Sequence, residues 1–132
     1  MKQNKLIITI LVLLLTLSVY AEYVPLKVKL NTLERFVVES LLPKETNFSN
    51  WKIINDLRGQ LALSEEELVA INPQITEEGL IAQWDAVPEK EIIFGEVTEK
   101  MIVDALKKLD NDGKLLLEHL SLYEKFIIRD NQ

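Results

Sequence analysis

The chain has no cysteine among its 132 residues. Disulfide bonds, thiol nucleophiles and zinc–thiolate sites are therefore excluded, and so is export as a cysteine-anchored lipoprotein. The folded state has to be stabilised by an apolar core alone. Such a core is feasible, because a domain of about 110 residues can bury roughly two-thirds of the surface that its unfolded chain exposes.

Histidine is scarce as well, and the single one, His119, lacks catalytic neighbours. Glu118, His119 and Ser121 point in different directions on a helix, so they cannot form a nucleophile–base–acid relay among themselves. The serines lack the glycine-flanked turn of a hydrolase nucleophile, and no pair of acids stands out as the two carboxylates of a glycosidase. We therefore predict no catalytic residue, no metal ligand, no cofactor and no enzymatic activity.

Positive charge is in deficit, with 15 Lys and Arg against 21 Asp and Glu, a net charge of −6. Without residues 1–21, which contain Lys2 and Lys5, the balance is 13 against 21, or −8. A surface of this sign repels the phosphates of nucleic acids and anionic membrane surfaces. The composition predicts no nucleic-acid partner, and the partner class that it favours is a basic protein.

Only one long apolar run is present, the sixteen uncharged residues 6–21, which follow Lys2 and Lys5. The run is shorter than the roughly 20 apolar residues of a membrane-spanning helix, and Val19 and Ala21 are small where a signal peptidase requires it. We predict that residues 1–21 are a signal peptide, cleaved near Ala21, and that the protein is secreted or periplasmic. Residues 22–132 form a single small globular domain.

Two alternatives to a cleaved signal stay open. In the first, residues 1–21 are an uncleaved signal-anchor, and residues 6–21 are the only part of the protein in contact with a membrane. In the second, the leader results from a mis-called start of the gene, and the protein is cytoplasmic.

The first half of the domain shows clear local signals. Alternating apolar and basic residues predict a strand over Leu26–Leu30. Asn31 with Glu34 forms a capping box that opens a helix, which ends before Pro43. A second helix is expected to start near Asn47 or Ser49 and to run to about Ala62, and a third, capped by Ser64 with Glu67, ends at Asn72.

In the second half, residues 80–84 and 91–94 are apolar and β-prone, which predicts a β-hairpin with residues 85–90 as its loop. Thr98 is expected to cap a fourth helix. A last helix is expected to carry Leu116, Leu120, Tyr123 and Ile127 on one face, with Phe126 beside them. The fold class is α+β and predominantly helical, with about five helices and a small sheet of two or three short strands, to which the first strand contributes by pairing with the hairpin.

Three motifs invite a functional interpretation that their context argues against. An EF-hand aligned on Gly113 would start at Lys108 and end at His119, neither of which is the ligand required there, so residues 110–113 are predicted to be a turn. Trp51 and Trp84 are predicted to be core residues on a helix and a strand. Three helices before a hairpin resemble a winged helix-turn-helix, but the third helix begins Ser-Glu-Glu-Glu, which disfavours DNA binding.

Four segments carry a resemblance to known proteins: LNTLER (30–35), LPKETNF (42–48), EIIFGE (91–96) and HLSLYEKF (119–126). In these segments the chain resembles short uncharacterised proteins of bacteriophage and prophage genomes, over residues 26–127. The resemblance implies a phage-related origin and an intracellular setting, and it carries no catalytic or ligand motif.

The function predicted from the sequence is that of a non-enzymatic protein-interaction domain, exported or membrane-tethered. The alternative is an acidic inhibitor or immunity-type protein that masks a basic partner and uses charge to speed association. A small hydrolase is a third hypothesis, for which no site is visible.

Overall fold

A computed structural model describes residues 2–19 and 22–129. Within these residues lie six α-helices and four strands, which confirms the predicted α+β, mainly helical fold. The helices are α1 Lys2–Val19, α2 Thr32–Leu41, α3 Phe48–Leu61, α4 Glu65–Ile71, α5 Glu96–Asn111 and α6 Leu120–Tyr123. The strands are β1 Leu26–Leu30, β2 Gln74–Thr76, β3 Gly79–Ile81 and β4 Lys90–Phe94.

The predicted leader is helical over α1, and its apolar side chains from Leu6 to Ile10 are exposed. The predicted cleavage point at Ala21 lies outside the described residues, as does the polar tail of residues 130–132. Over residues 2–19 and 22–129, no helix combines the length and the apolar character needed to cross a bilayer.

The capping signals placed the first three helices of the domain correctly. Asn31 and Glu34 form both bonds of the capping box at α2, and Ser64 and Glu67 do the same at α4. Asn47 caps α3 by accepting a hydrogen bond from the backbone N–H of Asn50. Each such cap is worth about 1 kcal/mol, because it satisfies a backbone donor that the helix itself cannot pair.

The core lies between the β1–β4 sheet and the packed faces of α2, α3, α5 and the C-terminal segment. Its apolar members are almost completely inaccessible to solvent: Val28, Leu30, Val37, Val38, Leu42, Ile54, Leu57, Leu61, Ile92, Phe94, Ile102, Leu106, Leu122 and Phe126. Phe94 and Phe126 meet edge to face with their ring centroids 5.0 Å apart. The packing of these side chains stabilises the domain without any disulfide bond.

The predicted β-hairpin is wrong in its pairing. Residues 91–94 belong to β4, which pairs antiparallel with β1, and Val28 lies opposite Ile92. The observed hairpin joins β2 to β3, with Ile75 opposite Leu80. The pairing follows burial. Ile92 is buried and extends the buried apolar face of β1, whereas Leu80 is exposed and does not contribute to that face. The sequence predicts that the first strand pairs with the hairpin in one sheet, whereas β1 pairs with β4 alone and two separate two-stranded sheets result.

Three local predictions also need correction. Trp84 is not on a strand but opens a 3₁₀ turn, Trp84–Ala86, in which the Ala86 N–H donates to the carbonyl of Gln83 at 3.0 Å. The Trp84 carbonyl accepts a 2.6 Å hydrogen bond from the Thr32 hydroxyl and so is not paired with a strand. Gly95, not Thr98, is the N-cap of α5, and Thr98 lies inside the helix. The C-terminal segment is a 3₁₀ turn, α6 and a π turn in succession, which buries Leu122 and Phe126 and leaves Leu116 and Leu120 exposed.

Candidate interaction surface

The acidic turn and the histidine that were weighed as sites have structural roles. Asp110 accepts a 2.9 Å hydrogen bond from the Tyr123 hydroxyl, which raises the pKa of that phenol. His119 is buried, and its Nδ1 accepts the Leu116 N–H at 2.9 Å. Among residues 2–19 and 22–129, no cluster of three or more metal-ligating side chains is found.

Arg35 is the most constrained charge in the domain, with only 1% of its surface exposed. Its Nη1 lies 2.6 Å from Glu67 Oε2, and its Nη2 lies 3.2 Å from Glu67 Oε1. Nε donates to the carbonyl of Leu61 at 3.1 Å, and Nη2 donates to the carbonyl of Ala62 at 2.6 Å. The guanidinium therefore joins α2 to the C-terminus of α3 and to the first turn of α4, and it fixes the position of α4 on the core.

This arrangement makes the stability of the domain depend on pH through Glu67. The hydrogen bond from Arg35 is the main reason that the Glu67 pKa falls from 4.5 to about 2, although partial burial opposes the shift. Because the folded-state pKa is lowered, the stabilisation is fully present above pH 4.5 and is lost as the pH falls towards 2. The free energy of unfolding of the wild type should fall more steeply over this window than that of Glu67→Gln. Parallel curves would contradict the prediction.

A second ion pair, between buried Glu34 and partly exposed Lys125, also lies at the first turn of α2. Lys125 Nζ lies 2.9 Å from Glu34 Oε1 and donates to the carbonyl of Lys29 at 2.7 Å. Glu34 Oε2 is buried, and within the described residues no group donates a hydrogen bond to it. The pair ties the C-terminal segment to β1 and to the start of α2, which is a structural role.

A groove of about 380 Å³ lies along α5 beside the first described residues of the domain. Its charged centre is Glu99, which accepts hydrogen bonds from Tyr23 and Arg129. The groove also contains Lys100, but this side chain is paired with Asp104 at 2.6 Å. Two acids, Glu96 and Glu99, and three bases, Lys100, Lys107 and Arg129, line the groove together, so it favours no ligand of a single charge sign.

A different region carries almost all of the net charge. From Gly59 to Glu89 the chain contains no Lys or Arg, but it contains seven acids: Glu65, Glu66, Glu67, Glu77, Glu78, Asp85 and Glu89. The rest of residues 22–132 holds 13 basic against 14 acidic residues. Six of the seven acids are exposed, and the other, Glu67, is the partner of Arg35. The negative field of the domain is therefore concentrated on α4, the β2–β3 hairpin and the Trp84 turn.

The same region exposes aliphatic side chains. Every residue of β2 and β3 is exposed, with Ile75 90% and Ile81 56% accessible to solvent. Ile75 and Leu80 lie opposite each other and share one face of the hairpin, and Gln74 and Ile81 share the other. We call α4 and the hairpin, residues 65–81, the acidic hairpin surface.

Residues next to this surface hold it on the domain. The Gln83 N–H donates a 2.7 Å hydrogen bond to the carbonyl of Ile71, which closes the base of the hairpin. Trp84 is half-buried outside the core, against the predicted core position, and the centroid of its ring lies 6.2 Å from that of Phe36. These contacts attach the acidic hairpin surface to the rest of the domain.

Trp51, by contrast, packs against the core as predicted.

The sequence contains a signal for this surface that the total net charge conceals. Lys and Arg are unevenly distributed along the chain, with a gap from Gly59 to Glu89. Residues 74–81 also contain β-prone residues on both sides of a Glu-Glu-Gly turn, which is a short hairpin pattern. Gly79 has a φ of +116°, in the region that favours glycine, and so permits the tight reversal.

No protein-family model matches the chain, and searches of curated proteins and of solved structures find no match either.

Proposed function

We propose that this protein is a non-enzymatic protein-interaction domain that binds a basic protein through the acidic hairpin surface. The observation that supports this proposal is the combination of exposed aliphatic side chains with a 31-residue stretch that lacks any basic residue. Exposed apolar side chains that lie side by side, as Ile75 and Leu80 do on one face of the hairpin, are typical of binding sites. The acids of the same stretch favour a partner with Lys and Arg around its own apolar contact.

The two components of the surface have different expected roles. The acids, led by Glu77 and Glu78 at the hairpin tip, accelerate the encounter with a basic partner, and this effect weakens with salt. The aliphatic side chains, led by Ile75 and Val69, lose their exposed area on binding and set the lifetime of the complex.

We further propose that the domain acts outside the cytoplasm, carried there by residues 1–21. The lysines followed by an apolar run support this, and the alternatives of an uncleaved anchor or a mis-called start remain open. Mass spectrometry of the protein from its own host tests the point: an N-terminus at Glu22 supports cleavage, and an intact Met1 on soluble protein contradicts it. The phage-related origin stays a prediction from the resemblance.

The alternative function, an acidic inhibitor or immunity-type protein, is favoured by the same concentration of charge. It differs in one measurable respect, because the bound partner would lose its own activity. If the partner stays fully active in the complex, the inhibitor function is excluded and the function as an interaction domain is retained.

The proposal is tested by photo-crosslinking in the host, with a photoreactive amino acid at position 75 or, as a control, at position 107 on α5. A basic protein should be captured at position 75 and not at position 107. Glu77→Lys with Glu78→Lys should reduce its capture at least about tenfold, because attraction becomes repulsion.

A matched control keeps the charge change and moves it elsewhere. Glu118→Lys with Glu124→Lys alters two exposed acids outside the acidic hairpin surface by the same total charge. This variant should retain capture within about twofold, since screening confines the effect of a charge to roughly 10 Å. Equal losses in both variants would show that the overall charge, and not this surface, controls binding.

A further inference from the structure

The edges of the β1–β4 sheet are blocked by side chains. On β4, the outward N–H of Ile93 donates to Gln60 Oε1 at 3.3 Å. On β1, the carbonyl of Lys29 accepts a 2.7 Å hydrogen bond from Lys125 Nζ. Proteins protect strand edges in this way because an unpaired edge is a template for another chain.

The edges of the β2–β3 hairpin lack such protection. Within the described residues, the hydrogen bonds of the hairpin outside its own ladder are confined to the turn. Thr76 Oγ1 donates to the carbonyl of Gly79 at 3.0 Å and accepts the N–H of Glu78 at 3.3 Å. No described side chain or backbone group bonds to the outer edge of Leu80 or Ile81.

The two edges of the hairpin are not equivalent. Pro73, directly before β2, has no N–H and shortens the usable edge on that side. The β3 strand, Gly79–Ile81, has no proline within it or directly beside it. A two-stranded hairpin of this length is marginal by itself, so a third strand along β3 would gain backbone hydrogen bonds and stabilise the hairpin.

We propose that the outer edge of β3 receives an extended segment of the basic partner as a third strand. This inference rests on the proposed function and adds its binding mode. Apolar residues at alternate positions of the segment pack beside Leu80 on the face that Ile75 shares, and Lys or Arg residues approach Glu77 and Glu78 at the hairpin tip.

The probe for this binding mode is the capped peptide Lys-Val-Lys-Val-Lys-Val-Lys, with Lys-Val-Lys-Pro-Lys-Val-Lys as a control of equal charge. The full-length protein is used in a nonionic detergent. The valine peptide should bind at least about tenfold more tightly than the proline peptide, because proline cannot complete a strand. Residue-resolved hydrogen exchange should slow about tenfold or more at an amide of Gly79, Leu80 or Ile81, with no comparable slowing at Ile75.

N-methylation gives an independent readout, since alternate residues of a strand direct their N–H groups to opposite sides. Methylating the valine amides and methylating the inner lysine amides should differ in their effect on affinity by about tenfold. Equal affinity for the valine and proline peptides, or binding without slowed exchange on β3, would overturn strand addition and leave the proposed function intact. Absence of any binding of the valine peptide would also overturn strand addition. The proposed function is decided separately, by the crosslinking experiment.

Discussion

Replacing Arg35 with methionine should lower the free energy of unfolding by about 3 kcal/mol or more. The guanidinium donates to two backbone carbonyls and to both oxygens of Glu67 while it is itself almost completely buried. Methionine fills much of the volume but donates no hydrogen bond. The carbonyls of Leu61 and Ala62 and the Glu67 carboxylate then lose their partner together.

A matched control is Lys100→Met, which removes an ion pair of the same 2.6 Å length from an exposed helical face. An exposed pair four residues apart contributes about 0.3–0.5 kcal/mol, so this variant should remain close to the wild type. Denaturant unfolding followed by tryptophan fluorescence suits both, since Trp51 and Trp84 lie in the domain and the leader has none. Similar, small losses in both variants would contradict the structural role of Arg35.

Arg35→Lys separates charge from geometry. Lysine keeps the positive charge but cannot donate along the several directions that the planar guanidinium covers at once. Its stability should lie between those of the wild type and the methionine variant. Because the Arg35–Glu67 pair holds the first turn of α4, loss of this pair should also loosen the acidic hairpin surface, and hydrogen exchange of β2 and β3 should quicken.

The part of the fold that the sequence predicted well is local. Asn31 with Glu34 and Ser64 with Glu67 are reciprocal bonds between residues three apart, and they can be identified without knowledge of the rest of the chain. The additional role of Glu67 was not predictable in this way. Its partner Arg35 is 32 residues distant, and only the packing of α2 against α3 and α4 brings the two together.

Strand pairing was the weaker part of the prediction for the same reason. A local pattern identifies Ile92 as β-prone, but its pairing with Val28 depends on contacts across 64 residues of chain. The nearer partner, Leu80, was preferred because hairpins are the simplest connection. Burial decided otherwise, and the true hairpin was hidden in a segment whose strands are only three residues long.

The candidate surface could not be predicted from single residues, because its evidence lies in how charged and aliphatic residues are distributed along the chain. No single residue from Gly59 to Glu89 marks a site, and the catalytic and metal motifs that were tested all depend on particular residues at particular spacings. An uneven distribution of one charge sign, together with aliphatic residues that the fold leaves exposed, becomes informative only when both are viewed on the structure.

Replacing Phe126 with alanine should lower the free energy of unfolding by about 3–5 kcal/mol. The ring is 1% exposed and packs edge to face on Phe94, so its removal leaves a cavity that the surrounding strand and helices cannot fill without moving. It is also the residue through which the π turn Glu124–Ile128 reaches the core. The loss amounts to a large share of the roughly 5–15 kcal/mol that stabilises a typical domain.

Phe48→Ala is the control, because the same ring is removed from a side chain that is 79% exposed at the start of α3. This variant should change the free energy of unfolding by no more than about 0.5 kcal/mol. The two variants differ only in burial, so the difference between them measures the contribution of the Phe126 contact to a core that has no disulfide to support it. A Phe126→Ala loss below about 1 kcal/mol would contradict the packing of the C-terminal segment on β4.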